Sequence, residues 1–379
     1  MILCEFGPEG GPVLFRRPTQ VICARTPDAL EPAMAALDLA RSQGHWIAGY
    51  IAYEAGFVLE PKLTSAMPPQ SATPLLHMGI FDAPQAAEAV LAQADAAGLE
   101  TCISAPVPMV TQADYDAAIA RVLDHIAAGD CYQVNLTFPM RAKLVRGTAL
   151  GLYGALRRAG AVGHGAFVDL PGAPVVVSRS PELFFALDAA GRIVARPMKG
   201  TAPRDPDPLR DAALAAALQA SEKDRAENLM IVDLLRNDIS RLAEVGSVRV
   251  PALFAMERYT TVHQMTSTIE GQLAGEVSLS RLMAALFPCG SVTGAPKIRA
   301  MQIIREVEPA PRGVYCGSIG WMAPDGRADF SVAIRTLSVQ GTQIVMNVGG
   351  GVVHDSTAQG EWEEALWKAH FAQAAVCRC

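Results

Sequence analysis

Lys199 sits in the stretch Arg196-Pro197-Met198-Lys199-Gly200-Thr201, with Glu182 upstream in Ser180-Pro181-Glu182 and the pair Asp224 and Glu227 downstream. The combination is a candidate nucleophilic amine, a candidate acid and half of a metal site. A lysine in a turn is ordinarily a solvated cation. Here, however, Ile193-Val194-Ala195 reads as a buried strand, and Pro197 and Gly200 confine and then release the backbone that follows it. The amine is thereby set at a strand end, facing whatever that edge faces. With a reference pKa of about 10.4, a lysine becomes a nucleophile near neutral pH only where desolvation or a nearby cation strips its proton. A magnesium ion would serve.

Glu361 and Glu364 repeat the three-residue spacing of Asp224 and Glu227, so each pair points to one side of its helix. Leu229, Met230, Ile231, Val232, Leu234 and Leu235 are apolar nearly all round, which predicts a buried helix whose carboxylates need partners. Hard oxygen ligands from two helices suit magnesium better than zinc, because no His or Cys is spaced to complete a tetrahedral site. The rival structural account is ion pairing with Lys223, Arg225, Arg236, Arg241 or Lys368. Gly290 to Lys297, which includes Thr293 and Gly294, is expected to open a helix whose free N–H groups suit an anion. It is not a P-loop, since the spacing to Lys297 is wrong and Pro296 removes a donor. Gly349, Gly350 and Gly351 let backbone approach a ligand, or form a plain tight turn. Arg335, in an expected strand from Phe330 to Leu337, forms a plausible carboxylate clamp with Tyr315. His263 is either a satisfied core histidine or a polar contact to substrate.

The chain has 379 residues, half of them hydrophobic, and a formal charge of −6. That length supports one large core or two ordinary ones, and the mild acidity makes no electrostatic case for nucleic acid. No apolar run is long enough to span a membrane, and no basic leader opens the sequence. Eight cysteines are scattered without a C-x-x-C pair, so reduced thiols in a cytoplasmic setting are expected. Residues 1–108 read as a scaffold segment of the same globule: helical stretches from Pro27 to Ser42 and Pro84 to Gly98 flank a strand from Trp46 to Tyr53. Glu54 and Glu60 suggest no chemistry there. Residues 109–379 read as the catalytic region. Thr111 and Asp114 form a capping signal for a helix striped by Tyr115, Ile119, Val122, Leu123 and Ile126. Closely spaced strands follow (Cys131 to Thr137, Gly165 to Leu170, Val175 to Val177, Leu183 to Leu187, Ile193 to Arg196), favouring antiparallel hairpins. Pro208 to Leu242 is expected to be helical, His263 to Gly271 a strand, and Gln359 to Ala375 one long final helix. The fold class is α+β, with antiparallel sheets packed as a sandwich and helices on the outer faces.

Taken together, these blocks resemble the chorismate-utilising enzymes, the family of anthranilate, isochorismate, salicylate and aminodeoxychorismate synthases. The resemblance is carried by Ser180-Pro181-Glu182, Pro197 to Thr201, Asp224 to Asp238, Phe287 to Lys297, Ala333 to Thr336, and Gly349 to Asp355 running into Glu361 to Glu364. It is dense from Thr111 onward and rests mainly on Gly49 to Ala55 before that. It implies a magnesium ion held by Glu227 and Glu364, with Asp224 and Glu361 beside them. Arg335, Tyr315 and the backbone at Thr293 and Gly294 would bind the carboxylates of chorismate, with His263 and Lys368 lining the site. Glu182 would protonate the departing C4 hydroxyl, and Lys199 would attack C2. Anthranilate synthases usually have alanine in place of Lys199, and members that add water tend to have lysine in place of Gln133. The pairing of Lys199 with Gln133 therefore favours the aminodeoxychorismate synthases, transaminase-class enzymes that aminate C4 on the route to p-aminobenzoate and folate; an anthranilate synthase large subunit is the alternative. The ammonia would come from a separate glutamine amidotransferase, since neither Cys289 nor Cys316 lies in a Gly-x-Cys-x-Gly elbow. Cys289 stands where a glycine is common, and Met198 where isoleucine is usual.

Overall fold

The computed structural model describes residues 1–69, 71–259 and 262–377. Its strands form two sheets, one of 11 strands and one of 10, in which every named strand pair is antiparallel. The α+β sandwich expected from the sequence is the architecture found. Alternation along single strands explains why two layers form. In Trp46–Ile51, Ile47 and Ile51 enter the main core while Ala48 and Tyr50 face a second cluster. That second cluster also takes Ile2, Cys4 and Phe15 from the other sheet, so the two sheets bury their inner faces against one another.

Helices cover the outside. Pro27–Ser42 buries Leu30, Ala33, Met34 and Leu37, the face expected of a 3.6-residue repeat. Its Asp38 accepts the backbone N–H groups of Leu279 (2.6 Å) and Ser280 (3.1 Å), capping the helix Leu279–Leu286. Gln112–Ala127 begins with the capping box read at Thr111 and Asp114. Strands from residues 1–108 lie in both sheets: Ile2–Cys4 pairs with His164–Val168, and Trp46–Ile51 with Ser318–Met322. No helix among the described residues is long and apolar enough to cross a membrane.

The chain passes from one sheet to the other twice at the same place. Val175–Ser180 belongs to the first sheet and Leu183–Leu187 to the second; Ala328–Val332 belongs to the second and Thr336–Gln340 to the first. The two crossings are stitched together. Val332 N–H donates to the Glu182 carbonyl (3.1 Å), Arg179 N–H to the Arg335 carbonyl (3.0 Å), and the Ser180 hydroxyl to the Val332 carbonyl (2.5 Å).

Several expectations need correction. Phe330 to Leu337 is two strands rather than one, because Arg335 adopts φ 50° at the crossing. Pro208 to Leu242 breaks at Ser221, which accepts from Asp224 N–H and starts a second helix, Glu222–Ser240. That helix buries Asn228, Ile231, Val232 and Leu235 but leaves Leu229 45% exposed, so it is amphipathic and not buried all round. The final helix ends at Lys368 and continues as a 3-10 segment, Ala369–Ala375. Cys102 and Cys377 form a disulfide across 275 residues, contrary to the expectation of reduced thiols; Cys379 lies outside the described residues.

Candidate active site

Glu182 and Arg335 are the residues placed at the two crossings, and each is unusual for its surroundings. Glu182 is only 4% exposed, and its Oε1 has no hydrogen-bond partner among the described residues. Burial pushes its carboxyl up to about 7, against opposing influences from Ser291, Lys199, the Met198 N–H and His164. The half-buried Arg335 has no ion pair or side-chain hydrogen bond among the described residues, and burial lowers its pKa from the ordinary guanidinium value. Its left-handed backbone is the kind of strain that persists where neighbouring structure enforces it. Here the enforcing contacts are the stitches to Arg179 and Val332, together with the turn at Tyr315 and Cys316, whose Cys316 N–H donates to the Ala333 carbonyl (2.9 Å).

Both groups open onto a cavity of about 640 Å³. Lys199 enters it from the strand Met198–Pro203, with its Nζ 3.8 Å from Glu227 Oε2. Gly200 beside it has φ 84°, and a Cβ there would lie 3.0 Å from Asp224 Oδ1, so any other residue would strain this turn. Gln264 fixes the same turn, donating from Nε2 to the Gly200 carbonyl (2.8 Å) and accepting from the Thr201 hydroxyl (3.0 Å). Asp224 and Glu227 line the cavity from one helix, and Glu361 and Glu364 from the C-terminal helix Ala358–Lys368. The two acidic pairs therefore face one cavity from two helices.

The third wall comes from neighbouring strands Gln133–Arg146 and Gln343–Val352. Val134, Leu136 and Phe138 face the core, while Gln133, Asn135 and Thr137 form the opposite, polar row. Gly351 pairs with Asn135 and Gly349 with Thr137, which strips side chains from the facing strand. A Cβ on Gly351 would lie 2.4 Å from Gln133 Nε2 and 3.1 Å from Lys199 Nζ. Gln133 thus lies against this glycine, fully buried and with both polar atoms unpartnered among the described residues, and it is not part of the cavity lining.

Other expected residues are placed differently. His263 is fully buried and does not line the cavity; its Nε2 lies 2.8 Å from Asp211 Oδ1 while its Nδ1 has no partner among the described residues, so it is a core histidine anchored at one ring nitrogen. Arg204 grips the same carboxylate at 2.8 and 3.0 Å and holds it well below the usual carboxylate range. Thr293 and Gly294 also lie off the cavity. Gly294–Ala295 is a short strand paired with Val134 and Gln133, the Thr293 hydroxyl turns back to the Cys289 and Gly290 carbonyls, and the helix starts only at Lys297. Ser291 and Val292 take their place in the lining. Cys289 has φ −58°, a conformation that any side chain tolerates, so the turn does not require glycine. Tyr315, Arg335, Gly349 and Lys368 line the cavity as expected, and Gly350 faces the acids of the final helix.

Asn135, Asn347, Gln264, Trp367 and Phe371 also line the site, and no motif in the sequence marks them. The available signal was a buried polar residue inside an apolar strand, as in Val134-Asn135-Leu136. A chamber of about 390 Å³ adjoins the cavity, sharing Met198, Arg335, Trp367 and Phe371 with it.

The acidic pairs fit a hard divalent cation in kind, being oxygen donors from two helices. Glu361 Oε2 is buried and unpartnered among the described residues, although Oε1 accepts from Ser356 (2.6 Å). Burial raises the Glu361 carboxyl, and nearby Glu364 adds to this. At Glu364 burial also works upward, but Lys368 at 2.6 Å brings the net direction down. Among the described residues, no group of three or more acidic, histidine or cysteine side chains converges tightly enough to hold an ion.

A family model described as chorismate binding enzyme matches residues 17–374. Aminodeoxychorismate synthase from Streptomyces pristinaespiralis is 47% identical over 251 residues, which is 66% of this chain and 35% of that protein. Aminodeoxychorismate synthase component 1 from Escherichia coli (strain K12) is 44% identical over 261 residues, 69% of this chain and 57% of that one. The chain therefore spans about a third of the first relative's length and somewhat over half of the second's. The crystal structure of anthranilate synthase component I from Streptococcus pneumoniae TIGR4 superposes with a TM-score of 0.82 at 25% identity, covering 95% of this chain and 91% of that one.

Proposed function

The chain belongs to the chorismate binding enzyme family, and from that premise we propose that it aminates chorismate at C4 to give 4-amino-4-deoxychorismate. Its ammonia comes from a separate glutamine amidotransferase subunit. The observation that carries this reading is the convergence of Lys199, Glu182, both acidic pairs and an unpaired arginine on one cavity.

Charge balance supports the substrate class. Asp224, Glu227, Glu361 and Glu364 are matched in the cavity by Lys199, Lys223, Lys368 and Arg335. A dicarboxylate arriving with a divalent cation adds no net charge to such a site. Arg335 binds one substrate carboxylate through its free guanidinium, beside Tyr315. A magnesium ion, when held by Glu227 and Glu364 with Asp224 and Glu361 beside them, supplies the positive charge for the ring carboxylate.

Glu182, its carboxyl raised to about 7, still holds its proton in about half of the molecules at neutral pH, and its unpartnered oxygen is free to deliver it. Lys199 Nζ bonds to C2 as the C4 hydroxyl leaves as water with that proton. Ammonia then bonds to C4 as the C2–Nζ bond breaks, so the lysine is recovered. Gln133 suits this nitrogen chemistry, because a carboxamide cannot deprotonate water whereas ammonia arrives already nucleophilic.

Incubating the protein with chorismate, magnesium and ammonium, followed by mass spectrometry, tests the reading: 4-amino-4-deoxychorismate with its enolpyruvyl group intact is expected. Pyruvate and a fluorescent aromatic product would instead establish the second reading, an anthranilate synthase, which the likeness to the Streptococcus structure keeps in view. Lys199→Ala should abolish amination; undiminished turnover in that variant would rule out the covalent route.

A further inference from the structure

Lys368 is better matched to the acidic pair on its own helix than to a substrate. It stands one turn beyond Glu364, with its Nζ 2.6 Å from Glu364 Oε1 and 2.9 Å from the Gly349 carbonyl. A Cβ on Gly350 would lie 2.9 Å from Glu361 Oε2, 3.3 Å from Glu364 Oε1 and 3.3 Å from Lys368 Nζ. One small volume above Gly350 is thus bordered by both carboxylates and the ammonium group. Glu361 Oε2 belongs to a residue only 7% exposed and has no other partner among the described residues. Across the cavity, Lys199 stands toward Glu227 in the same way, at the longer distance of 3.8 Å.

We propose that Lys368 is a resident counter-ion of the Glu361 and Glu364 pair, which a divalent cation must displace before the site is loaded. This inference rests on the metal reading of the acidic pairs. It accounts for the lack of a preformed cation cage among the described residues: each pair already has a lysine at hand, and the carboxylates stay split between two ammonium groups. Two like charges cannot share a space of this size, so the lysine must swing aside as the cation enters. Because Lys368 and Glu364 are partly exposed, water can solvate the released ammonium, which makes the exchange reversible. Lys368 is therefore a positioning residue that sets the cation concentration at which the site fills.

Manganese titration of the full chain without chorismate, read from the electron paramagnetic resonance signal of the free ion, tests this. Lys368→Met should bind manganese at least about tenfold more tightly than the parent, since a competing charge is gone, while Lys368→Arg should stay near the parent. Lys368→Gln serves if the methionine variant misfolds by circular dichroism. Equal or weaker binding in the neutral variants would overturn the counter-ion role and leave Lys368 a substrate contact, with a raised chorismate KM as its mark. Adding Glu364→Gln to Lys368→Met should abolish the tight binding. If manganese binding survives that change, or no variant binds manganese, the metal reading itself falls and takes this inference with it.

Discussion

At Glu182 the same burial that raises the carboxyl to about 7 also decides when it works. The protonated form is the useful one, so the rate should hold on the acid side and fall as pH rises through about 7. Glu182→Gln keeps the shape but cannot give up a proton; kcat should drop by about 10²- to 10⁴-fold, with chorismate binding nearly unchanged. A pH–rate profile of parent and variant checks both points, and a variant that keeps the parent's alkaline limb would assign that limb to another group. Arg335 shows how far such chemistry can be read from sequence. Sequence singled it out as a candidate carboxylate clamp, but its backbone position was not readable. Nothing in Ala333-Ile334-Arg335-Thr336 announces a left-handed residue, because no glycine or asparagine marks the bend, and only the crossing between sheets forces φ to 50°.

Among the elements, the strand Met198–Pro203 has the most demanding task, since it carries Lys199 at one rim of its sheet. Its far end is clasped by Arg204, Asp211 and His263, which tie the strand to the helix Pro208–Ala220 and the strand Val262–Gln272. Asp211→Ala leaves Arg204 and the buried His263 without their shared acceptor, and should cost about 1–3 kcal/mol of stability. Small displacements of a reacting group are expensive in rate, so kcat should fall with it, by up to about 100-fold. His263→Gln separates clasp from contact: a clasp residue lowers kcat and leaves the chorismate KM near the parent's, whereas a substrate contact raises KM. The clasp was illegible in sequence because its members are 7 and 52 residues apart and meet only through strand pairing. The acid pairs were legible because their spacing is local to one helix turn. A disulfide joining Cys102 to Cys377 likewise leaves no local pattern. It anchors the segment after Lys368, where Cys377 N–H donates to the Ile103 carbonyl (3.0 Å) and Phe371 lines the cavity. A dithiol reductant should lower the unfolding midpoint by an amount equivalent to about 2–5 kcal/mol. A Cys102→Ser, Cys377→Ser double variant should show the same midpoint with and without reductant.

Across the whole molecule, the N-terminal block and the catalytic region are joined by a buried polar hub that no sequence motif announces. Glu54, set aside as chemically silent, is 5% exposed and accepts the backbone N–H groups of Arg312 (2.6 Å) and Gly313 (3.1 Å). The Arg312 guanidinium lies 4.4 Å above the Tyr53 ring, bonds Glu308 at 2.9 and 2.6 Å, and reaches the Val292 and Asn135 carbonyls at 2.8 and 2.5 Å. The hub thus braces Tyr315, three residues on, against the scaffold. Burial outweighs the N–H groups and Arg312, and pushes the Glu54 carboxyl up from its ordinary 4.5 to about 7. A carboxyl raised on folding favours the folded state most while protonated in both states, below about 4.5. That advantage is lost as pH rises through about 7, because the folded chain must then hold a buried anion. Glu182 contributes with the same sign. Chemical denaturation between pH 5 and 8 should therefore show stability declining by a few kcal/mol, about 1.4 kcal/mol for each unit by which a carboxyl is raised. Glu54→Gln keeps an acceptor for the two N–H groups and has nothing to ionise, so the decline should shrink, and Glu54→Gln with Glu182→Gln should shrink it further, leaving the share of the other carboxyls raised by burial, Asp238, Asp329 and Glu361. A single variant with the parent's full slope would mean that Glu54 is ionised throughout, held by Arg312 as a buried ion pair, and the hub would then lose stability only under acid.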